Sequence, residues 1–187
     1  MKYTAASVML AAASIVALAA CGGGAGPQPS PAVSHIATPS SAPAHTAQPG
    51  EPAMTTVPGY DYANIQSGPS AKEIIKSDPQ HLQAASAHMI LHGGNMIAAL
   101  VLIQVKPQYA NLPEIQQGMA PSFAKALAGS GAKVSTETIY TEKVTIARNG
   151  STVTYCWYHG GVVTEITGNN GPGIHGFVEA YLKAAHA

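Results

Sequence analysis

The sequence predicts an α+β domain, in which an antiparallel β-sheet (a meander) packs against helices. The last element of this domain is a C-terminal amphipathic helix. Three observations lead to this fold class. Four strand-like runs separated by short turns fill residues 133–167, a ten-residue apolar run occupies 96–105, and residues near 112–127 and 174–185 repeat apolar side chains with helical spacing.

The N-terminus has the three-part form of a secretory signal. Lys2 is positively charged, Val8–Ala20 is almost entirely apolar or small, and small residues directly precede Cys21. The quartet L-A-A-C at Leu18–Cys21 resembles the lipobox of bacterial lipoproteins. That resemblance implies cleavage before Cys21 and lipid attachment to its sulfur, with palmitate among the acyl chains. A transmembrane anchor is the alternative, but the run is shorter than the ~20 residues that a span needs.

The segment after Cys21 is expected to be a tether. Residues 22–58 consist mainly of Gly, Pro, Ala, Ser, Thr and Gln, and Glu51 is their only charged residue. Such a composition buries too little apolar area to offset its ordering entropy. Fully extended at about 3.1 Å per residue, it would reach on the order of 100 Å from the bilayer. The predicted organisation is a signal peptide at 1–20, the lipidated Cys21 and tether at 21–59, and a single domain at 60–187.

Charge and cysteine content argue against a nucleic acid partner and against a disulfide in the domain. Residues 60–187 hold eight Lys or Arg and eight Asp or Glu, without a basic stripe, so no nucleic acid partner is expected. If Cys21 is lipidated, Cys156 has no intramolecular partner, and no disulfide is expected. Cys156 is then best interpreted as a small buried hydrophobic residue.

Two helical pieces are predicted at the start of the domain. Ser70, with Glu73 three residues later, fits a capping box for a helix through Lys76. Asp78 and Pro79 then fit the N-cap and first position of a second helix, running through Leu82, Ala85 and Met89. The alternative is that Ala87–Leu91 is a strand, with H-G-G-N as its hairpin turn.

The middle of the domain is predicted to contain one buried strand and one helix. Met96–Val105 is apolar and β-branched towards its end, which favours a strand covered on both faces, with a buried helix as the alternative. Asn111 begins an amphipathic helix that ends at Gly129, and Pro121 inside it predicts a kink or break near Gly118. Its apolar stripe comprises Leu112, Ile115, Met119, Phe123 and Leu127.

Four strands and a final helix complete the domain. Thr-, Val- and Ile-rich runs at 133–140, 142–148, 151–159 and 162–167 predict the meander, and Asn149-Gly150 predicts a type I′ hairpin turn. Val153, Tyr155 and Trp157 alternate on one face, which we expect to point to the core. The last helix follows from the spacing of Ile174, Phe177, Val178, Tyr181, Leu182 and Ala185.

None of the motifs with catalytic or metal-binding character is specific. His88 and His92, with His81 before them, have metal-ligand spacing on a helix but lack a further ligand and partners. Cys156 and His159 point to opposite faces of one strand, although another histidine such as His175 could approach the thiol. Two further local matches lack the rest of their motifs: Ser122 with Lys125, and the glycine-rich loop 168–173 before a helix. We therefore expect no catalytic residue, no metal and no cofactor.

The lipobox, the Pro/Ala/Ser/Thr tether and the small domain of low charge together resemble cell-envelope lipoproteins of mycobacteria and other actinobacteria. The order of elements is similar to the PsbP-like fold of the LpqN type. This resemblance implies a non-enzymatic protein at the extracytoplasmic face of the cell membrane, held by the lipid on Cys21. It would bind an envelope protein or a lipid or glycan component, with Tyr155, Trp157 and Tyr158 as candidate anchors.

Two other functions fit the same sequence. The domain could carry an apolar or lipid ligand in a cavity beside the 112–127 helix, where Ala120, Ala124 and Ala128 leave space. It could also be an exclusion or immunity lipoprotein that blocks a phage or toxin.

Overall fold

The computed structural model describes residues 52–64 and 71–187. The predicted signal peptide, Cys21, most of the tether and the capping candidate Ser70 lie outside these residues. None of the described helices is long and apolar enough to cross a membrane.

The described chain folds into one antiparallel sheet with four helices, which confirms the α+β class. The strands, in chain order, are β1 Asp61–Asn64, β2 Leu82–His92, β3 Asn95–Val105, β4 Lys133–Ile139, β5 Glu142–Asn149, β6 Thr152–His159 and β7 Val162–Asn169. The helices are α1 Ala71–Ser77, α2 Pro107–Ala110, α3 Pro113–Ala128 and α4 Pro172–Ala185. The seven strands are arranged in the order β1-β2-β3-β7-β6-β5-β4, with every neighbouring pair antiparallel.

One face of the sheet, here named the α4 face, carries the larger side chains. Ile146, Tyr155, Ile166 and Leu100 lie in register across β5, β6, β7 and β3, and none is more than 2% exposed. The helix α4 covers this row with its own buried residues, which are Ile174, Phe177, Val178, Tyr181 and Leu182. The expectation that Tyr155 and Trp157 point to the core is confirmed.

The opposite face, here named the α3 face, is also buried. Helix α3 packs on β5, β6 and β7, and its buried residues are Met119, Ala120, Phe123, Ala124 and Ala128. The small side chains bring helix and sheet close, and Ala120 and Ala124 pack in one buried cluster with Cys156. The ends of the predicted stripe lie outside this contact, because Leu112 and Leu127 are 37% and 41% exposed.

Helix α3 continues through Pro121, so the break expected near Gly118 does not occur. Proline leaves the carbonyl four residues earlier without its helical donor. That carbonyl belongs to Gln117, and both Gln117 and Pro121 are exposed. Water can therefore satisfy the carbonyl, and the helix tolerates the proline.

The predicted second helix, from Asp78 to Met89, is wrong. Leu82–His92 is strand β2, which pairs along its length with β3, and Gly93 and Gly94 form the turn with positive φ of 57° and 77°. The alternative strand at Ala87–Leu91 is therefore the correct one. Asp78 instead forms a turn, because its carbonyl accepts the N–H groups of His81 and Leu82. Pairing with the buried β3 outweighs the local helix propensity of the alanine-rich segment.

The four-strand meander and the C-terminal helix agree with the prediction. The turn between β5 and β6 differs in type, because Gly150 has a positive φ of 57° and Asn149 does not. Asn149 pairs with Thr152, so the central residues are Gly150 and Ser151. A positive φ at the first central position alone is the pattern of a type II′ turn.

Residues ahead of β1 also belong to the packed structure. Val57 is 6% exposed within the core of the α4 face, and Met54 and Tyr60 pack against that core. The Val57 N–H donates to the Tyr62 hydroxyl at 3.0 Å, and hydrogen bonds join the Tyr181 hydroxyl to Thr55. The packed chain thus reaches into residues 52–59, which composition alone places in the tether.

Gly168 shows how closely β3, β7 and α4 pack. A Cβ at this position would lie 2.5 Å from the Ile97 carbonyl oxygen and 2.9 Å from Cδ1 of Ile174. Because the carbonyl belongs to the backbone of β3, it has little freedom to move. We expect Gly168→Ala to lower the free energy of unfolding by about 1–3 kcal/mol, measured by urea denaturation.

Gly176→Ala is the matched control. Gly176 lies in α4, and a Cβ added there would have no atom within 4 Å, so alanine should stabilise the helix by about 0.5–1 kcal/mol. A Gly168→Ala variant as stable as the wild type would contradict the close packing described here.

Candidate functional site

Two of the three predicted binding residues are core residues. Tyr155 and Trp157 are 2% and 3% exposed. The Trp157 ring meets Tyr181 of α4 edge-on at 5.9 Å, and the Tyr155 hydroxyl lies 3.4 Å from Nδ1 of His175. Both rings hold α4 on the sheet, and neither is accessible to a partner at the surface.

Tyr158, the third predicted binding residue, points to the opposite face of the sheet. Its hydroxyl donates to the Ala110 carbonyl at 2.7 Å, and its ring packs against the core of the α3 face. Burial raises the pKa of its hydroxyl. Tyr158 thus links the end of α2 to β6.

The histidines at 81, 88 and 92 do not lie together on one face of a helix, as the metal-ligand spacing would require. His88 and His92 lie on strand β2, where a separation of four residues corresponds to roughly 13 Å. His88 is 2% exposed, whereas the exposed His92 places Nδ1 3.0 Å from the Gly59 carbonyl oxygen. Nδ1 of His81 lies 2.9 Å from the carboxylate of Asp78.

Cys156 is a packing residue on the α3 face. It is fully buried, and burial raises the pKa of its thiol well above the usual range, with the charge of Glu165 acting in the same direction. His159 points to the α4 face, as expected, and His175 also lies on that side of the sheet. A thiol held neutral beside a carboxyl group is poorly suited to nucleophilic attack.

The other two motifs have structural explanations. Ser122 and Lys125 are both exposed on α3. In the glycine-rich segment, Gly168 lies within β7, and Gly171 is the N-cap of α4.

A cluster that the sequence motifs do not reveal lies at one end of the sheet. Glu142 is the first residue of β5 and His159 is the last residue of β6. The register that pairs Thr145 with Cys156 places Glu142 opposite His159 when it is extended to the strand ends. Both side chains therefore lie on the α4 face, where His186 at the C-terminal end of α4 joins them.

Both imidazoles approach the same carboxylate oxygen. Oε1 of Glu142 lies 2.7 Å from Nδ1 of His159 and 3.1 Å from Nε2 of His186. The imidazole rings meet edge-on, with 4.9 Å between their centroids. The side chains of Glu142 and His186 are 15% and 22% exposed, whereas that of His159 is 61% exposed. The cluster is thus partly enclosed and open to solvent on the His159 side.

The surroundings of this cluster include an open depression on the surface of α4. Tyr140 has a positive φ of 57° in the turn before β5, and its ring lies 5.8 Å from that of His186. Tyr140 also lines the depression, of about 390 Å³, together with Gly176, Glu179, Ala180 and Lys183.

The ligand atoms of Glu142, His159 and His186 all lie within 4.8 Å of one another, so these residues could hold a metal ion. The turn expected at Asn149-Gly150 would place Glu142 opposite Trp157, so the position opposite His159 follows from the observed turn at Gly150 and Ser151. The position of His186 follows only from the docking of α4.

Glu165 is a second unusual group, buried on the α3 face. It pairs with Cys156 across β6 and with Val101 across β3, and it is 4% exposed. Burial raises the pKa of Glu165 to about 7, although a hydrogen bond from Thr167 at 3.2 Å favours its charged form. The Thr167 hydroxyl also lies 2.9 Å from that of Thr154, which extends the polar group on the α3 face.

Comparison of the chain with protein-family models, curated proteins and solved structures found no match. Function is therefore inferred from the residues themselves.

The buried carboxyl of Glu165 predicts a specific dependence of stability on pH. The folded state keeps the proton up to about pH 7, whereas the unfolded chain releases it near 4.5. Since the folded state binds more protons between these values, this group lowers the free energy of unfolding as the pH rises. From pH 4.5 to 8 the loss should be about 3 kcal/mol.

Glu165→Gln removes the titrating group and keeps the shape of the side chain. The free energy of unfolding of this variant and of the wild type is measured with urea at pH 4.5 and pH 8. The difference, variant minus wild type, should be about 3 kcal/mol larger at pH 8 than at pH 4.5. Glu114→Gln, which removes an exposed carboxylate from α3, should show no comparable gain. A difference between Glu165→Gln and wild type that does not vary with pH would contradict a raised pKa.

Proposed function

We propose that this protein is a lipid-anchored protein of the bacterial cell envelope that acts by binding a protein or cell-wall component, without catalysis. The observation that carries the proposal is the L-A-A-C quartet at Leu18–Cys21, at the end of a charged and then apolar N-terminal segment. A sulfur at this position, in this context, is the acceptor of the lipid that retains such proteins at the extracytoplasmic face of the membrane.

The segment between the anchor and the domain supports action at a distance from the membrane. Its composition favours extended conformations. Thirty residues of the sequence lie between Cys21 and Pro52, and at about 3.1 Å each they would span up to roughly 90 Å if extended. A domain held in this way is suited to contact with partners inside the envelope.

The chemistry of the domain interior is also consistent with binding. Cys156, the thiol that could have served as a nucleophile, is buried beside Glu165 and has a raised pKa. Tyr155 and Trp157 stabilise the core. Contact with a partner would therefore use the exposed rim of the sheet, such as edge strand β4, in which six of seven residues are exposed.

The alternative of an apolar-ligand carrier depended on space beside α3. Ala120, Ala124 and Ala128 are 5%, 0% and 7% exposed, and α3 packs directly on the sheet there. The small residues serve close packing, so we do not propose a ligand cavity at this place. A role in excluding a phage or toxin would use the same anchor and the same mode of action by contact.

The anchor can be tested by metabolic labelling with palmitate in the bacterium that produces the protein. The chain has two cysteines, Cys21 and Cys156, which makes a matched pair of variants possible. Wild type and Cys156→Ala should be labelled and recovered in the membrane fraction. Cys21→Ser should lose the label completely, and a label that persists in this variant would rule out the proposed anchor.

Cross-linking in intact cells tests the mode of action. Formaldehyde adducts recovered with the wild-type protein from membranes should contain a specific envelope component, and their yield should fall several-fold in Cys21→Ser. Recovery of nothing above the level of an unrelated lipid-anchored protein would contradict action by binding even if the anchor is present.

A further inference from the structure

We propose that Glu142, His159 and His186 form a site for one zinc ion at the end of the sheet. The proposal goes beyond the binding function above and does not depend on it. It rests on three donor groups, contributed by β5, β6 and the residue after α4, that the fold directs to a common point.

The donor types match zinc. Two imidazole nitrogens and one carboxylate oxygen form a ligand set that zinc uses in proteins, with a fourth position left to water. Hard cations such as Mg²⁺ and Ca²⁺ prefer sets built from oxygen alone, which this cluster does not provide. The site is therefore expected to bind zinc in preference to Mg²⁺ and Ca²⁺.

The spacing is close to what coordination requires. In a tetrahedral site with ligands about 2.0–2.1 Å from zinc, neighbouring donor atoms lie roughly 3.3 Å apart. The Glu142 oxygen lies 2.7 Å from Nδ1 of His159 and 3.1 Å from Nε2 of His186. Small side-chain rotations bring these atoms to the required distances, and the 61% exposed side chain of His159 has room for such a movement.

The local structure also holds the ligands in place. Glu142 is held by its pairing with Ile139 of β4, and His159 by its pairing with Val162 of β7. The docking of α4 through its five buried residues fixes the direction from which His186 arrives. Without a metal, each ring nitrogen that faces the carboxylate carries a proton and donates a hydrogen bond to it. With a metal, the same nitrogen is unprotonated and binds the ion through its lone pair. Two hydrogen bonds to one carboxylate oxygen would give the same distances, and this is the competing explanation that the experiment must separate.

Bound zinc would join the C-terminal end of α4 to the β5 and β6 ends. The affinity of this site is measured with zinc chloride alone, by competition with a chromophoric chelator, on the full chain purified in detergent without a polyhistidine tag. We expect one zinc ion per chain to bind through Glu142, His159 and His186. His186→Ala and Glu142→Gln should each weaken its binding at least tenfold.

Two further variants make the result specific. His159→Ala alters the most exposed of the three ligands and should also weaken zinc binding at least tenfold while folding normally, as judged by circular dichroism. His175→Ala is the matched control, because His175 lies on α4 and also pairs with a glutamate, Glu179 at 3.2 Å. It should bind zinc like the wild type.

Thermal unfolding gives an independent readout. At a zinc concentration about 100 times the wild-type Kd, the melting temperature of the wild type should rise by roughly 5–10 °C, and that of His159→Ala should rise by about half as much or less. The same zinc affinity in the wild type and in all three ligand variants would overturn the proposal. So would an absence of zinc binding by the folded wild type, which would leave the cluster as a pair of hydrogen bonds to Glu142.

Discussion

The central strands of the sheet are apolar on both faces, and the rest of the described structure depends on shielding both faces from water. In β3, Leu100 and Leu102 point to one face, while Ile103 and Val105 point to the other, and all four are at most 1% exposed. Removing such side chains from water is the main favourable contribution to folding. The helices α3 and α4 provide the covers, and residues near Val57 extend the cover on the α4 face.

This arrangement determines where polar chemistry can occur. With both faces packed, polar groups with access to solvent lie at the ends and edges of the sheet, where Glu142, His159 and His186 come together. Some polar side chains are buried on the faces, among them His88 and Glu165, and the Glu165 carboxyl on the α3 face is mainly stabilised as the neutral acid. A buried carboxyl of this kind costs stability at neutral pH, so it opposes the packing of the apolar layer that surrounds it.

Much of the fold could be predicted from local signals. Turn residues and alternating Thr, Val and Ile define β4–β7, and the spacing of apolar residues defines α4. Strand β2 is predicted as a helix because its conformation is set by pairing with β3, which no local pattern of Leu82–Met89 reveals. The break expected at Pro121 fails for a related reason, since the cost of the proline depends on whether the unpaired carbonyl reaches water.

The candidate site could be predicted only in part. The sequence predicts the hairpin between β5 and β6, but the observed turn shifts its register and brings Glu142 opposite His159. His186 joins them because α4 docks across the sheet. The same limit applies to Tyr155 and Trp157, whose residue types suit a binding surface while their burial makes them core residues. Residue type and spacing report local geometry, whereas a site assembled from distant elements requires the tertiary structure.

Hydrogen–deuterium exchange of the full chain, read by peptide mass spectrometry, tests most directly whether the chain itself covers both faces of the sheet. Amides of β3 and β7 should exchange slowest, and peptides covering Val57–Tyr62 should be protected well beyond the rate of an unstructured peptide, since these residues close the α4 face. Exchange of Val57–Tyr62 at the unstructured rate, or rapid exchange in β3, would contradict a sheet sealed on both sides by its own chain.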